Sequence, residues 1–198
     1  MIVMACNSAS SVATESVKQQ FDIPVFEVIT PAVQMAVQVT RKNNIGVIGT
    51  RATINSGIYE RMIKEKKPDA KVFSVACPLL VPLVEEGWLE KPETRMIVKK
   101  YLHPLKVRQI TSLILGCTHY PILKKMIQQK IGQKVNIIDS SVAVSAQVKD
   151  CLQEHPELDQ QLDKKGIFKL FVSDITAQFE KTAKYILRKN VVLKQGSI

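Results

Sequence analysis

The sequence predicts an α/β fold built as two pseudo-symmetric three-layer αβα domains with mainly parallel sheets. Two observations carry that expectation. Short apolar runs alternate with longer segments of helical period, the pattern of a sheet with helices on its faces. In addition, the opening IVMACNSAS (2–10) is echoed by LILGCTHYP (113–121): each is an apolar strand, a small residue, a cysteine, hydroxyl-bearing polar residues and then a helix start.

Taken in order, the strand candidates are 2–5, 24–29, 45–49, 71–76, 112–116, 135–139 and 166–172. Helical period fills the gaps. Ile97, Val98, Tyr101, Leu102 and Leu105 share one helix face, and His103-Pro104 reads as the end of that helix. Over 119–131, Ile122, Leu123, Met126, Ile127 and Ile131 fall on one side and Lys124, Lys125, Gln128 and Gln129 on the other, with Gly132 as the stop. Val142 to Leu152 and Ile175 to Leu187 are two further helices. The polar stretch His155 to Lys165 reads as a surface loop with room for a short helix.

Composition narrows the class. With 198 residues and 45% apolar content there is enough chain for a sizeable core. No run approaches the roughly 18 apolar residues of a membrane span, and MIVMA lacks the parts of a secretory signal. A cytoplasmic protein with no membrane partner is expected. The cysteines at 6, 77, 117 and 151 form no C-x-x-C pair, which argues against zinc and disulfides. Cys77 and Cys151 read as buried thiols. The net charge is +10, but its lysines are scattered in short clusters that read as solvated helix faces, so nucleic acid is not an expected partner. Gly46, Gly49 and Gly57 do not make a dinucleotide-binding fingerprint.

Cys6 and Cys117 stand apart from the other two. Each follows a strand and opens a helix, where free N–H groups suit anions and lower a thiol's pKa. If two such halves face each other, one thiolate removes a proton from a carbon acid and the other thiol returns one to the opposite face. That inverts a stereocentre with no metal and no cofactor.

ACNSAS, IGVIGTRATINSGIY, ACPLLVPLVEEGW and LGCTHYPIL, in this order, resemble the glutamate racemases. LGCTHYP marks the aspartate/glutamate racemase superfamily, and VPLVEEG points to the glutamate branch. The resemblance implies that Cys6 and Cys117 are the catalytic acid/bases, with Glu85 and His119 assisting proton traffic around Cys117. It implies that Asn7, Ser8, Thr118 and His119 hold the substrate's amino and carboxylate groups, and that Thr50 and Thr53 contact it from the second domain. Where the family usually has Thr, this chain has Ser8. The implied division is 1–29 plus 139–198 for an incomplete first domain and 30–138 for the second. The implied reaction is cofactor-independent interconversion of L- and D-glutamate for peptidoglycan synthesis, in an enzyme whose relatives often form homodimers.

Family members begin with a further strand, helix and strand carrying Asp-Ser-Gly and Pro-Tyr-Gly turns, and Met1 falls inside what should be the third strand. The expectation is therefore a truncated form of low stability and impaired activity. Aspartate racemase, hydantoin racemase and maleate isomerase are the neighbouring enzyme readings. A non-catalytic basic binding module is the reading from another class, and salt-dependent binding to DNA would mark it.

Overall fold

A computed structural model describes residues 1–187 and 190–196. Its centre is a four-stranded parallel sheet of β3 (Asn44–Gly49), β4 (Lys71–Ala76), β5 (Ser112–Gly116) and β6 (Asn136–Asp139), in the order β4-β3-β5-β6. Both faces are covered, so these strands read as continuous apolar runs rather than alternating ones. Ile48, Leu113 and Leu115 pack on one side with Leu80, Val98, Leu102, Leu105 and Ile127. Ile45, Val47, Ile114 and Ile138 pack on the other with Ile29, Val33, Ile63 and Ala143.

The helices follow from those faces. On the first side lie α5 (Leu80–Glu85), α6 (Pro92–Val107) and α7 (Lys124–Ile131); on the second lie α2 (Ile29–Val39), α4 (Ile58–Lys66) and α8 (Ser140–Glu154). The short α3 (Arg51–Asn55) follows β3 directly. Gly132 ends α7 at φ 115°, a backbone position that only glycine takes without strain.

Two smaller parallel pairs flank this body. One joins β1 (Ile2–Met4) to β2 (Val25–Glu27), with α1 (Asn7–Gln20) between them. The other joins β7 (Leu170–Val172) to β8 (Leu193–Gln195) around α10 (Ala177–Leu187). Among the described residues β1 has one strand neighbour, β2, and Met1, Val3, Phe21 and Ile23 stay exposed nearby.

Several elements differ from the sequence expectation. The helix expected over 119–131 begins as a 3-10 turn, Tyr120–Leu123, and becomes α-helical only at Lys124. In contrast, α6 does not stop at His103. It runs through Pro104 to Val107, held by Leu102 and Leu105 in the core. The last apolar run forms strand only at Leu170–Val172, and β8 was not anticipated. The loop after α8 holds the short α9 (Pro156–Gln160). Trp88 is 45% exposed. No helix among the described residues is long and apolar enough to cross a membrane.

Candidate active site

The strand order creates the site. From β3 the chain moves to β4 on one side, while β5 and β6 lie on the other. In open parallel sheets the crevice at the carboxyl ends of such diverging strands is the natural ligand position. Here β3 ends at Gly49 and β5 at Gly116, which are direct register partners. Thr50 follows the first and Cys117 the second. Gly116 is required by close packing, since a Cβ there would sit 2.9 Å from the Ile48 carbonyl oxygen and 3.1 Å from the Tyr59 ring.

Cys117 is buried and is served by its own loop. The backbone N–H groups of His119 and Tyr120 act to hold its pKa down, and the Tyr120 N–H donates to the Cys117 carbonyl at 3.2 Å. Its Sγ lies 3.8 Å from His119 Nδ1, and His119 Nε2 lies 3.3 Å from Glu85 Oε1. A proton on Nε2 facing the carboxylate leaves Nδ1 as an acceptor toward the thiol. Thr118 is exposed beside this pair, with its hydroxyl 3.4 Å from Nδ1.

The charge state of Cys117 departs from the sequence expectation of a lowered thiol pKa. Burial pushes it up to about 11, outweighing the pull of those two N–H groups; the charges of Cys6 and Glu85 push the same way as burial. The physical reason is local. A 3-10 turn, rather than a regular helix, follows the cysteine, so Cys117 lacks a full helix dipole to offset its lost solvation.

Cys6 reaches the same place from the other sheet. It is exposed and forms the N-cap of α1, a helix of 14 residues whose first turn carries no acid. Two residues on, Ser8 meets Thr50, which follows Gly49, the register partner of Gly116, so the Cys6 turn faces the strand ends that carry Cys117, and the Cys6 charge acts on that thiol.

The hydroxyls gather as well. Ser8 Oγ lies 2.8 Å from Thr50 Oγ1 and 3.1 Å from Thr53 Oγ1, and the two threonines are 3.1 Å apart. Thr50 caps α3 by accepting the Thr53 N–H at 3.2 Å. This triangle links α1 to the end of β3 and so ties the two sheets together.

Asn7 sits deeper than expected for a residue that only holds substrate. It is 1% exposed, its Oδ1 accepts the Tyr59 hydroxyl at 2.5 Å, and its Nδ2 donates to Ser140 Oγ at 3.4 Å. Ser140 donates in turn to the Leu115 carbonyl at 3.3 Å. Tyr59 and Ser140 were missed from the sequence. Burial drives the Tyr59 phenol well above its ordinary range, with Glu27 and Cys117 adding to the shift, so it remains a donor. The grouping therefore brings together Cys6, Asn7, Ser8, Thr50, Thr53, Glu85, Cys117, Thr118 and His119. Cys77 is fully buried and Cys151 half-buried.

The chain is similar to known proteins over most of its length. The model of the Asp/Glu/Hydantoin racemase family matches residues 1–148. A glutamate racemase of Persephonella marina is 44% identical over 194 residues, 98% of this chain and 71% of the relative. The crystal structure of the glutamate racemase isoform RacE1 from Bacillus anthracis matches with a TM-score of 0.89 at 32% identity, over 100% of this chain and 74% of that one. The glutamate racemase of Francisella tularensis, solved in complex with D-glutamate, matches at 0.88 and 34% identity, over 99% and 73%.

Proposed function

The chain belongs to the Asp/Glu/hydantoin racemase family, and on that footing we propose that its chemistry is the interconversion of L- and D-glutamate, the latter for peptidoglycan synthesis. The observation that carries the proposal is that the turn after Cys6 meets the strand ends bearing Cys117, through the Ser8–Thr50 contact and the Gly49–Gly116 register, with His119 and Glu85 behind Cys117.

The roles follow from the geometry. With its pKa pushed up to about 11, Cys117 rests as a thiol and is the proton donor when Cys6 acts as base. Cys6 takes the Cα proton, and the electron pair delocalises into the substrate carboxylate. The Cys117 thiol then delivers its proton to the opposite face of Cα. In the reverse direction Cys117 must ionise first. His119 Nδ1 accepts that proton while Glu85 stabilises the imidazolium formed, which offsets part of the cost of a buried thiolate.

Ser8, Thr50 and Thr53 offer hydroxyls that serve the substrate's amino and carboxylate groups, and Thr118 offers another from the Cys117 side. The unpartnered N–H groups at the start of α1 suit the carboxylate. Asn7, held by Tyr59 and Ser140, retains one N–H for the ligand.

The test is racemisation of L-glutamate without added cofactor. It is run on 1–198 and on 1–198 joined to the N-terminal residues of the Persephonella marina relative. Activity in the longer form, lost on Cys6→Ser or Cys117→Ser, is the expected result. Silence in both forms overturns the proposal.

A further inference from the structure

We propose that the face formed by α6 and α7 binds the phosphate backbone of duplex nucleic acid. Residues 91–134 hold ten lysines and arginines and one acid, Glu93, and so carry nine of the chain's ten net positive charges. In the sequence these cations look scattered. The fold gathers them, because α6 and α7 pack side by side on one face of the central sheet.

The seam between the two helices is open. One cleft of about 580 Å³ is lined by Lys99, His103, Lys106 and Lys130. A second, of about 310 Å³, is lined by Arg95 and Lys125 together with one acid, Glu90. None of these six basic residues enters an ion pair among the described residues.

Helix-dipole complementarity explains only part of this pattern. Lys106 and Lys130 lie in the last turns of their helices, where cations are favoured. Lys124 and Lys125 open α7, where the dipole disfavours them, and no acid balances them there. Cations held against the local dipole and left unpaired fit an external polyanion.

The surface chemistry selects the partner. The apolar stripes of both helices, including Val98, Leu102, Leu105, Met126 and Ile127, are buried in the core; Met96 and Val107 are exposed but lie at opposite ends of α6, so neither helix has a continuous apolar face to insert into lipid. The one aromatic on α6 and α7 is Tyr101, whose hydroxyl accepts the Leu79 N–H at 3.4 Å. Nothing on the two helices offers a stacking platform for unpaired bases. What remains is a row of cations suited to closely spaced phosphates, without sequence readout.

The experiment is fluorescence anisotropy of the full 1–198 chain with a 20-base-pair duplex at several salt concentrations. Phosphate contacts from the five cations Arg95, Lys99, Lys106, Lys125 and Lys130 predict a slope of log K against log salt of roughly −4.5, a loss of about five hundredfold between 50 and 200 mM. The triple variant Lys99→Glu/Lys106→Glu/Lys130→Glu should flatten the slope by about 3, and the milder Gln triple should change it in the same direction. Three reversals on other exposed lysines, Lys42→Glu/Lys71→Glu/Lys149→Glu, should change it by less than about 1. The proposal is overturned by an absence of saturable duplex binding at 50 mM salt, or by an equal loss in the second triple. Capture by phosphatidylglycerol vesicles in preference to the duplex overturns it as well.

Discussion

His119 Nε2 lies 3.3 Å from Glu85 Oε1, and this contact joins the end of α5 to the loop that carries Cys117. It fixes the tautomer that leaves Nδ1 facing the thiol. Glu85→Gln should therefore slow the direction in which Cys117 is the base more than the opposite one, by about tenfold. His119→Asn should do the same more strongly. Initial rates from L- and from D-glutamate in each variant check this; equal losses in both directions would contradict the assigned relay.

Alkali should destabilise the fold. Burial pushes Cys117 up to about 11 and Cys77 up to about 12, so the native state holds their protons more tightly than the unfolded chain does. That stability is fully present below the unfolded thiol pKa of about 8.5 and is lost as pH rises through the native values. Urea midpoints should fall between about pH 9 and pH 12, and Cys77→Ala should show a smaller fall. Alkylation of Cys117 by iodoacetamide should speed up about tenfold per pH unit from 7 to 10.

Tyr59 holds Asn7 in place without belonging to either thiol loop. Removing its hydroxyl in Tyr59→Phe leaves the buried Asn7 oxygen unpartnered, at a cost of about 1–3 kcal/mol. The amide is then free to turn over. A raised KM for glutamate with a smaller change in kcat is expected, together with a lower Tm. Ser140→Ala should act in the same direction through Nδ2.

Gly116→Ala brings a methyl to 2.9 Å from a backbone oxygen that belongs to the neighbouring strand. The strand pair must part or Tyr59 must move. A stability loss of about 1–3 kcal/mol and a disturbed Asn7 are expected, measured by chemical denaturation and by glutamate KM.

How much of this was legible in the sequence depended on range. The central strands were readable because both faces are buried, so Ile45–Gly49 and Ser112–Gly116 stand out as apolar runs. Cys6 and Cys117 were readable because each sits beside its own strand and turn. Glu85 was identified through resemblance, since its neighbours Glu86 and Gly87 give no local sign of its meeting with His119. Tyr59 and Ser140 carried no signal, because their roles arise from contacts across 52 and 133 positions of chain. The rise in the Cys117 pKa was hidden for a related reason: burial is a property of the packed molecule, while the helix-start pattern suggested the opposite shift. The basic face was hidden too, because Lys99 and Lys130 become neighbours only once α6 and α7 pack.

The most direct measurement is racemisation of L-glutamate in D₂O, comparing the wild-type chain with Cys6→Ser and Cys117→Ser in the same longer form. Two-thiol transfer predicts that D-glutamate forms with solvent deuterium at Cα, and that either substitution lowers turnover by at least about a hundredfold. Near-normal turnover in either variant, or product that keeps its original Cα hydrogen, would contradict the account.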